Sequence, residues 1–139
     1  MRARFEYAES NETAMRNMPV DEAITRAVRD YYEGWYDADV ARMDRALHPD
    51  LVKRSSAREH GAVLSYITKK DMLEFTARGD GKKDGADPRL DIKIDDLSEN
   101  IASVTVKTPV YYEYLHLVRT PAGWRIANAL FRPVVTDAG

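Results

Sequence analysis

The hydrophobic period of this chain changes once, from about 3.6 residues in the front half to 2 in the last third. Ile24, Ala27, Val28, Tyr31 and Trp35 recur at spacings of three and four, which predicts a helix from Pro19 to Tyr36 with one broad apolar stripe. Pro19 suits a first turn, and Asp21 and Glu22 favour the positive end of the helix. Asp39 caps a second, short helix over 40–47, with Val40, Met43 and Leu47 inward, and Pro49 ends it. Leu51–Arg54 reads as a short strand. Residues 62–67 are ambiguous between strand and loop, Thr68 caps a third helix over 69–77, and 79–88 is a loop. Beyond it Leu90, Ile92 and Ile94 alternate with charges, Asp95–Asn100 turns the chain, and Ala102, Val104 and Val106 continue the alternation. Val110–Val118 and Trp124–Phe131 complete four strands joined by short turns. Helices first and a meander after them give an α+β layout.

Composition removes several classes of function. The chain has 139 residues, the size of one domain, and no internal repeat divides it. We expect a loose arm over 1–18, a domain over 19–134 and a tail over 135–139. A net charge of −2 offers no global attraction for nucleic acid or an anionic membrane. The absence of cysteine removes thiolate nucleophiles, disulfides and zinc–thiolate sites. No stretch has the apolar length of a membrane span, and the N-terminus lacks the apolar core of a signal peptide, so the expected location is cytoplasmic. The Gly79–Lys83 run lacks the spacing and the Ser or Thr of a phosphate loop, and Asp80, Asp84 and Asp87 do not match an EF-hand.

The segment Tyr111-Tyr112-Glu113-Tyr114-Leu115-His116-Leu117-Val118-Arg119, the turn ending at Gly123 and Trp124–Asn128 resemble the C-terminal signature of the NTF2-like (SnoaL-like) superfamily. The front half agrees, with Ile24, Tyr31–Trp35, Asp39, Met43 and Leu47-His48-Pro49 in the same order. The set is most similar to the bacterial branch known as "putative lumazine-binding", a label that establishes no ligand. The resemblance implies an NTF2-like (cystatin-like) cone, with N-terminal helices packed on a strongly curved antiparallel sheet. It also implies a pocket between helix and sheet, and dimerisation through the sheet. Some relatives are isomerases, dehydratases or cyclases that use an Asp, His or Tyr in the pocket, and others have no known activity. Where the family pattern often holds an Asp, this chain has Glu113.

Glu113 and His116 are therefore the candidate catalytic residues. The candidate ligand-binding set is Tyr31, Trp35, His48, Tyr66, Tyr112, Tyr114, Trp124 and Asn128. Each has a structural alternative: His48 as a helix C-terminal cap, Tyr31, Trp35 and Trp124 as core, and Gly34 as either a fraying last turn or a point of close packing. Strand alternation places Tyr112, Tyr114 and His116 on one face and Glu113, Leu115 and Leu117 on the other, without saying which face is inside. If Glu113 faces inward, burial disfavours its charged form unless a cation such as Lys107 or Arg125 pairs with it. Arg54 and Arg58 are either anion ligands or surface charges. The three histidines have no short metal-ligand spacing, so neither a metal nor another cofactor is expected. Three functions stay open: a non-catalytic domain binding a small apolar or aromatic ligand, a proton-transfer isomerase or lyase, and a structural homodimer.

Overall fold

The computed structural model of the chain describes residues 18–134. The expected arm, apart from Met18, and the expected tail lie outside them. Helix α1 spans Val20–Asp37 and buries Ile24, Val28, Tyr31 and Tyr32. The left-handed Ala38 (φ 54°) breaks it, and the Asp39 side chain accepts from the Arg42 amide at 3.1 Å to start α2, Val40–Ala46. Gly34 is a close-packing position: a Cβ there would sit 3.0 Å from the Met43 amide nitrogen, so the residue type lets α2 fold back onto α1.

The chain leaves α2 earlier than expected. Strand β1 runs Leu47–Ser55, so His48 and Pro49 belong to a strand and not to a helix end. The register against the last strand slips between Leu47 and Val52. Pro49 has no N–H to give to a ladder and is tolerated in such an irregular stretch. A 3₁₀ turn (Glu59–Gly61) and the two-residue strand β2 (Ile67–Thr68) lead to α3, Lys69–Arg78. Thr68 and Asp71 cap α3 reciprocally. The segment expected to be plain loop holds a second 3₁₀ turn, Lys82–Ala86. The meander is β3 (Asp91–Ser98), β4 (Ile101–Lys107), β5 (Tyr111–Thr120) and β6 (Gly123–Pro133). β3 runs four residues into the expected turn, which narrows to Glu99 (φ 52°) and Asn100.

The sheet order is β2-β1-β6-β5-β4-β3. This corrects the expectation of a strongly curved antiparallel sheet. The sheet is open, with β2 and β3 as separate edges, and mixed, because β1 lies parallel to β6. A hairpin forces its strands antiparallel, but everything from β2 to β5 separates β1 from β6, so no turn dictates their direction. One face of the sheet carries the core: Val104, Val106, Leu115, Leu117, Trp124 and Ile126 pack with Ile24, Val28 and Met43 of the helices. Ala127 is an extra residue in β6 opposite the His116–Leu117 step, and it lets Ile126 and Ala129 both face inward.

Candidate functional site

The inner face of β5 is that of Glu113, Leu115 and Leu117, so the open choice between faces is settled by burial. Glu113 is 2 % exposed and lines a cavity of about 90 Å³. Tyr31, Tyr32 and Trp35 of α1 form one wall and Met72 and Phe75 of α3 another. Lys53, Ile67, Tyr111 and Phe131 come from the strands. The Tyr31 and Tyr32 rings meet edge-on at 4.9 Å between centroids, and those of Tyr111 and Phe131 at 5.5 Å.

The charged part of the lining is a four-residue network. Tyr32 donates to Glu113 Oε1 at 2.5 Å, and Tyr31 donates to Oε2 at 3.0 Å. Lys53 Nζ lies 3.3 Å from Oε2, donates to the Tyr31 hydroxyl oxygen, and sits over the Tyr31 and Phe131 rings at 4.8 and 4.6 Å from their centroids. The charge pair is thus buried together with its hydrogen-bond partners, the condition under which such a pair persists in a low-dielectric interior. Burial, reinforced by the negative Glu113, holds the Tyr31 and Tyr32 hydroxyls well above the ordinary tyrosine range. They remain protonated donors aimed at the carboxylate.

A second buried acid closes the neighbouring side. Asp84, in the 3₁₀ turn after α3, accepts from Trp35 Nε1 at 2.9 Å and from the Tyr111 hydroxyl at 2.7 Å. Burial and this acceptor push the Tyr111 hydroxyl up as well. The turn reaches these rings because Gly81 and Gly85 have no side chain: a Cβ on Gly81 would lie 2.4 Å from the Trp35 carbonyl oxygen, and one on Gly85 2.9 Å from the Tyr36 Cβ.

Of the residues singled out from sequence, Tyr31, Trp35 and Glu113 come together at this cavity. Tyr112, Tyr114, His116 and Asn128 lie on the opposite, exposed face, where the His116 Nδ1 and Asn128 Nδ2 are 3.4 Å apart. Glu113 and His116 therefore have the sheet between them. His48 accepts from the Asp50 amide through Nδ1, Tyr66 is exposed beneath the Arg54 guanidinium, and Trp124 is buried in the core away from the cavity. Neither suggested partner of Glu113 reaches it: Lys107 lies over the Tyr112 ring, and Arg125 donates to the Trp124 and Ala122 carbonyls. Lys53 takes that role, and sequence reasoning missed it. The available signal was its phase, since Leu51, Lys53 and Ser55 share the inward face of β1. Among the described residues no three His, Asp or Glu side chains converge so as to hold a metal ion, and no helix is long and apolar enough to cross a membrane.

The family model described as "Putative lumazine-binding" matches residues 19–132. The chain belongs to this family. The fold of this family member recurs in solved structures. An NTF2-like protein of unknown function from Silicibacter pomeroyi DSS-3 is 17% identical, with a TM-score of 0.61 over 84% of this chain and 100% of that one. An NTF2-like protein of unknown function from Shewanella baltica OS155 is 13% identical, with a TM-score of 0.62 over 83% and 94%. A domain of unknown function with a cystatin-like fold from Nostoc punctiforme PCC 73102 is 12% identical, with a TM-score of 0.59 over 87% and 81%. Identities this low establish a shared NTF2-like fold alone. No curated protein matches the chain.

Proposed function

We propose that this family member is a non-catalytic binding domain for a small, flat, apolar or aromatic molecule seated between α1, α3 and the sheet. The reading is carried by one observation: an aromatic and aliphatic cavity is lined by one charged pair, Lys53–Glu113, with its two tyrosines. Apolar walls with a few convergent polar groups are the usual make-up of a small-molecule site. Volume limits the ligand. About 90 Å³ equals roughly three liquid waters and is below the ~150 Å³ of an apolar cavity that admits benzene. A single ring is therefore the largest group that enters, and only with a small outward shift of half-buried Ile67 and Phe75. Both Glu113 oxygens already accept hydrogen bonds, which favours binding over proton transfer. Protein-observed NMR titration with phenols and single-ring heterocycles tests this. Saturable shifts at Lys53 and Phe131, lost in Met72→Trp, are expected. Failure of every such fragment to bind, or binding undiminished in Met72→Trp, overturns the reading.

The exposed sheet face favours a second copy of the chain as partner. Tyr114 is 62 % exposed and Leu130 44 %, side by side on β5 and β6. Asp91, Lys93 and Asp95 lie on this face at the β3 edge, and Arg132 and Arg54 on the other side. A two-fold axis along β5 would bring the two aspartates over the partner's arginines. Sedimentation should give a dimer for the parent and a monomer for Tyr114→Glu. A monomeric parent at tens of micromolar would remove the proposal.

A further inference from the structure

The polar face of α1 and the adjoining α2 frame a second cavity, of about 450 Å³, five times the volume of the first. Two arginine pairs at i,i+3 spacing line it, Arg26 with Arg29 on α1 and Arg42 with Arg45 on α2. Three carboxylates face them: Glu22, Asp30 and Glu33. Two of the three are occupied in holding guanidinium groups. Asp30, 5 % exposed, accepts from Arg42 Nε at 3.0 Å and from Arg45 Nε and Nη2 at 3.0 and 3.1 Å. Glu33 accepts from Arg42 Nη2 at 2.8 Å and from Arg29 Nη1 at 3.2 Å.

We infer that this groove is a binding site for a small molecule carrying a doubly charged oxyanion, such as a phosphoryl group or a dicarboxylate. The Asp30–Arg42–Arg45 contacts already tie α2 to α1, and Arg26 and Arg29 line the same space from α1. A guanidinium has five donors in a fixed fork that matches carboxylate or phosphate oxygens two at a time. The hydrogen bonds to Asp30 and Glu33 use Nε and Nη2 of Arg42 and Arg45, and they orient those forks before a ligand arrives. The groove's own lining carries four guanidinium groups and two carboxylates, Glu22 and Asp30, so its surface is positive although Glu33 and Asp39 lie close by. The volume falls within the roughly 300–1,000 Å³ typical of ligand sites, which the cavity beside Glu113 does not reach.

The test is calorimetric titration and thermal melting of the full chain with inorganic pyrophosphate, and in parallel with citrate, against sodium chloride of equal ionic strength. Saturable binding of either anion, with a melting temperature raised above the chloride control, is expected. Binding of one but not the other tells a phosphoryl from a carboxylate ligand. The double variant Arg26→Gln/Arg29→Gln leaves every hydrogen bond to Asp30 in place, so it should melt cooperatively and bind at least tenfold more weakly. Lys93→Gln, on the far edge of the sheet, should bind as the parent does. Absence of saturable binding by both anions overturns the inference. So does parent-like affinity in the double arginine variant, or an equal loss in Lys93→Gln, which would mark a diffuse surface charge effect.

Discussion

The hydroxyl of Tyr32 donates to Glu113 Oε1 at 2.5 Å, joining the first helix to the start of β5 across 81 residues of sequence. Tyr31 and Lys53 converge on the other carboxylate oxygen. Glu113 is deeply buried and Lys53 largely covered, with side chains 2% and 13% exposed. Removing only the cation leaves a carboxylate without its countercharge. Lys53→Met should therefore cost about 3–5 kcal/mol. Replacing both groups should not add to this: Lys53→Met/Glu113→Leu is expected to regain most of the loss, because well-packed apolar residues often serve as well as a buried ion pair. Denaturant midpoints of the parent, both single variants and the double variant check the prediction. A double variant as unstable as the sum of the singles would refute it.

Alkaline pH should destabilise the fold through its buried phenols. Burial holds Tyr31, Tyr32 and Tyr111 above the ordinary value near 10 and pushes Tyr36 up to about 12. The folded values are raised, so the unfolded chain releases these protons first. The associated stability is complete below pH 10 and is lost as pH rises toward 12 and beyond. Each tyrosine contributes a slope of about 1.4 kcal/mol per pH unit in that window. Absorbance titration should show these four of the eight tyrosines ionising only as the protein unfolds.

Acid acts on a different group. Burial pushes the Asp30 carboxyl up, but hydrogen bonds and charge from Arg45 and Arg42 outweigh it and hold the group below the usual carboxylate value. A lowered folded value means that the contribution is present above about pH 4 and disappears as pH falls through the folded value. Asp30→Asn should cost about 1.5–3 kcal/mol at neutral pH, the range for hydrogen bonds to a charged group. Its stability curve should also be flatter than the parent's below pH 4. An unchanged acid limb would show that Asp30 carries none of it.

Gly81 makes the sharpest steric prediction. Its added Cβ would overlap both the Trp35 carbonyl and the indole ring at 2.4 and 2.5 Å, and the carbonyl cannot move without dragging α1. Gly81→Ala is expected to lose roughly 1–3 kcal/mol, as overpacked sites do. It should also shift the Trp35 fluorescence by breaking the hydrogen bond to Asp84. Gly61→Ala offers a contrast, since nothing lies within 4 Å of its Cβ and only its φ of +87° opposes the change.

What could be read from sequence was what local chemistry decides. The caps at Asp39 and Thr68 follow from hydrogen bonds spanning three residues, and the strands of the meander follow from alternation. The inward face of β5 was not legible, because Tyr112-Tyr114-His116 and Glu113-Leu115-Leu117 could each line a pocket. Long-range pairing decided it, as it decided the parallel β1–β6 register. Lys53 is hard to place from sequence because a lysine beside Arg54 reads as surface. The seating of Asp84 was hidden in a glycine-rich stretch whose glycines mark contact with Trp35 and Tyr36 as well as turns.

The sheet order has a consequence for synthesis. β6 is the last strand of this sheet to leave the ribosome, yet it lies between β5, which directly precedes it, and β1, which emerges long before it. Until it arrives, the helices with β1 and β2 form one fragment and β3–β5 another, with no backbone ladder between them. Phe131 and Ala129, which face the cavity and the core, also arrive only then. The nascent chain must keep two unsatisfied strand edges apart from each other and from neighbouring chains while the final segment is translated. Nascent chains stalled before Gly123 should therefore engage holding chaperones, and release should coincide with emergence of the final strand.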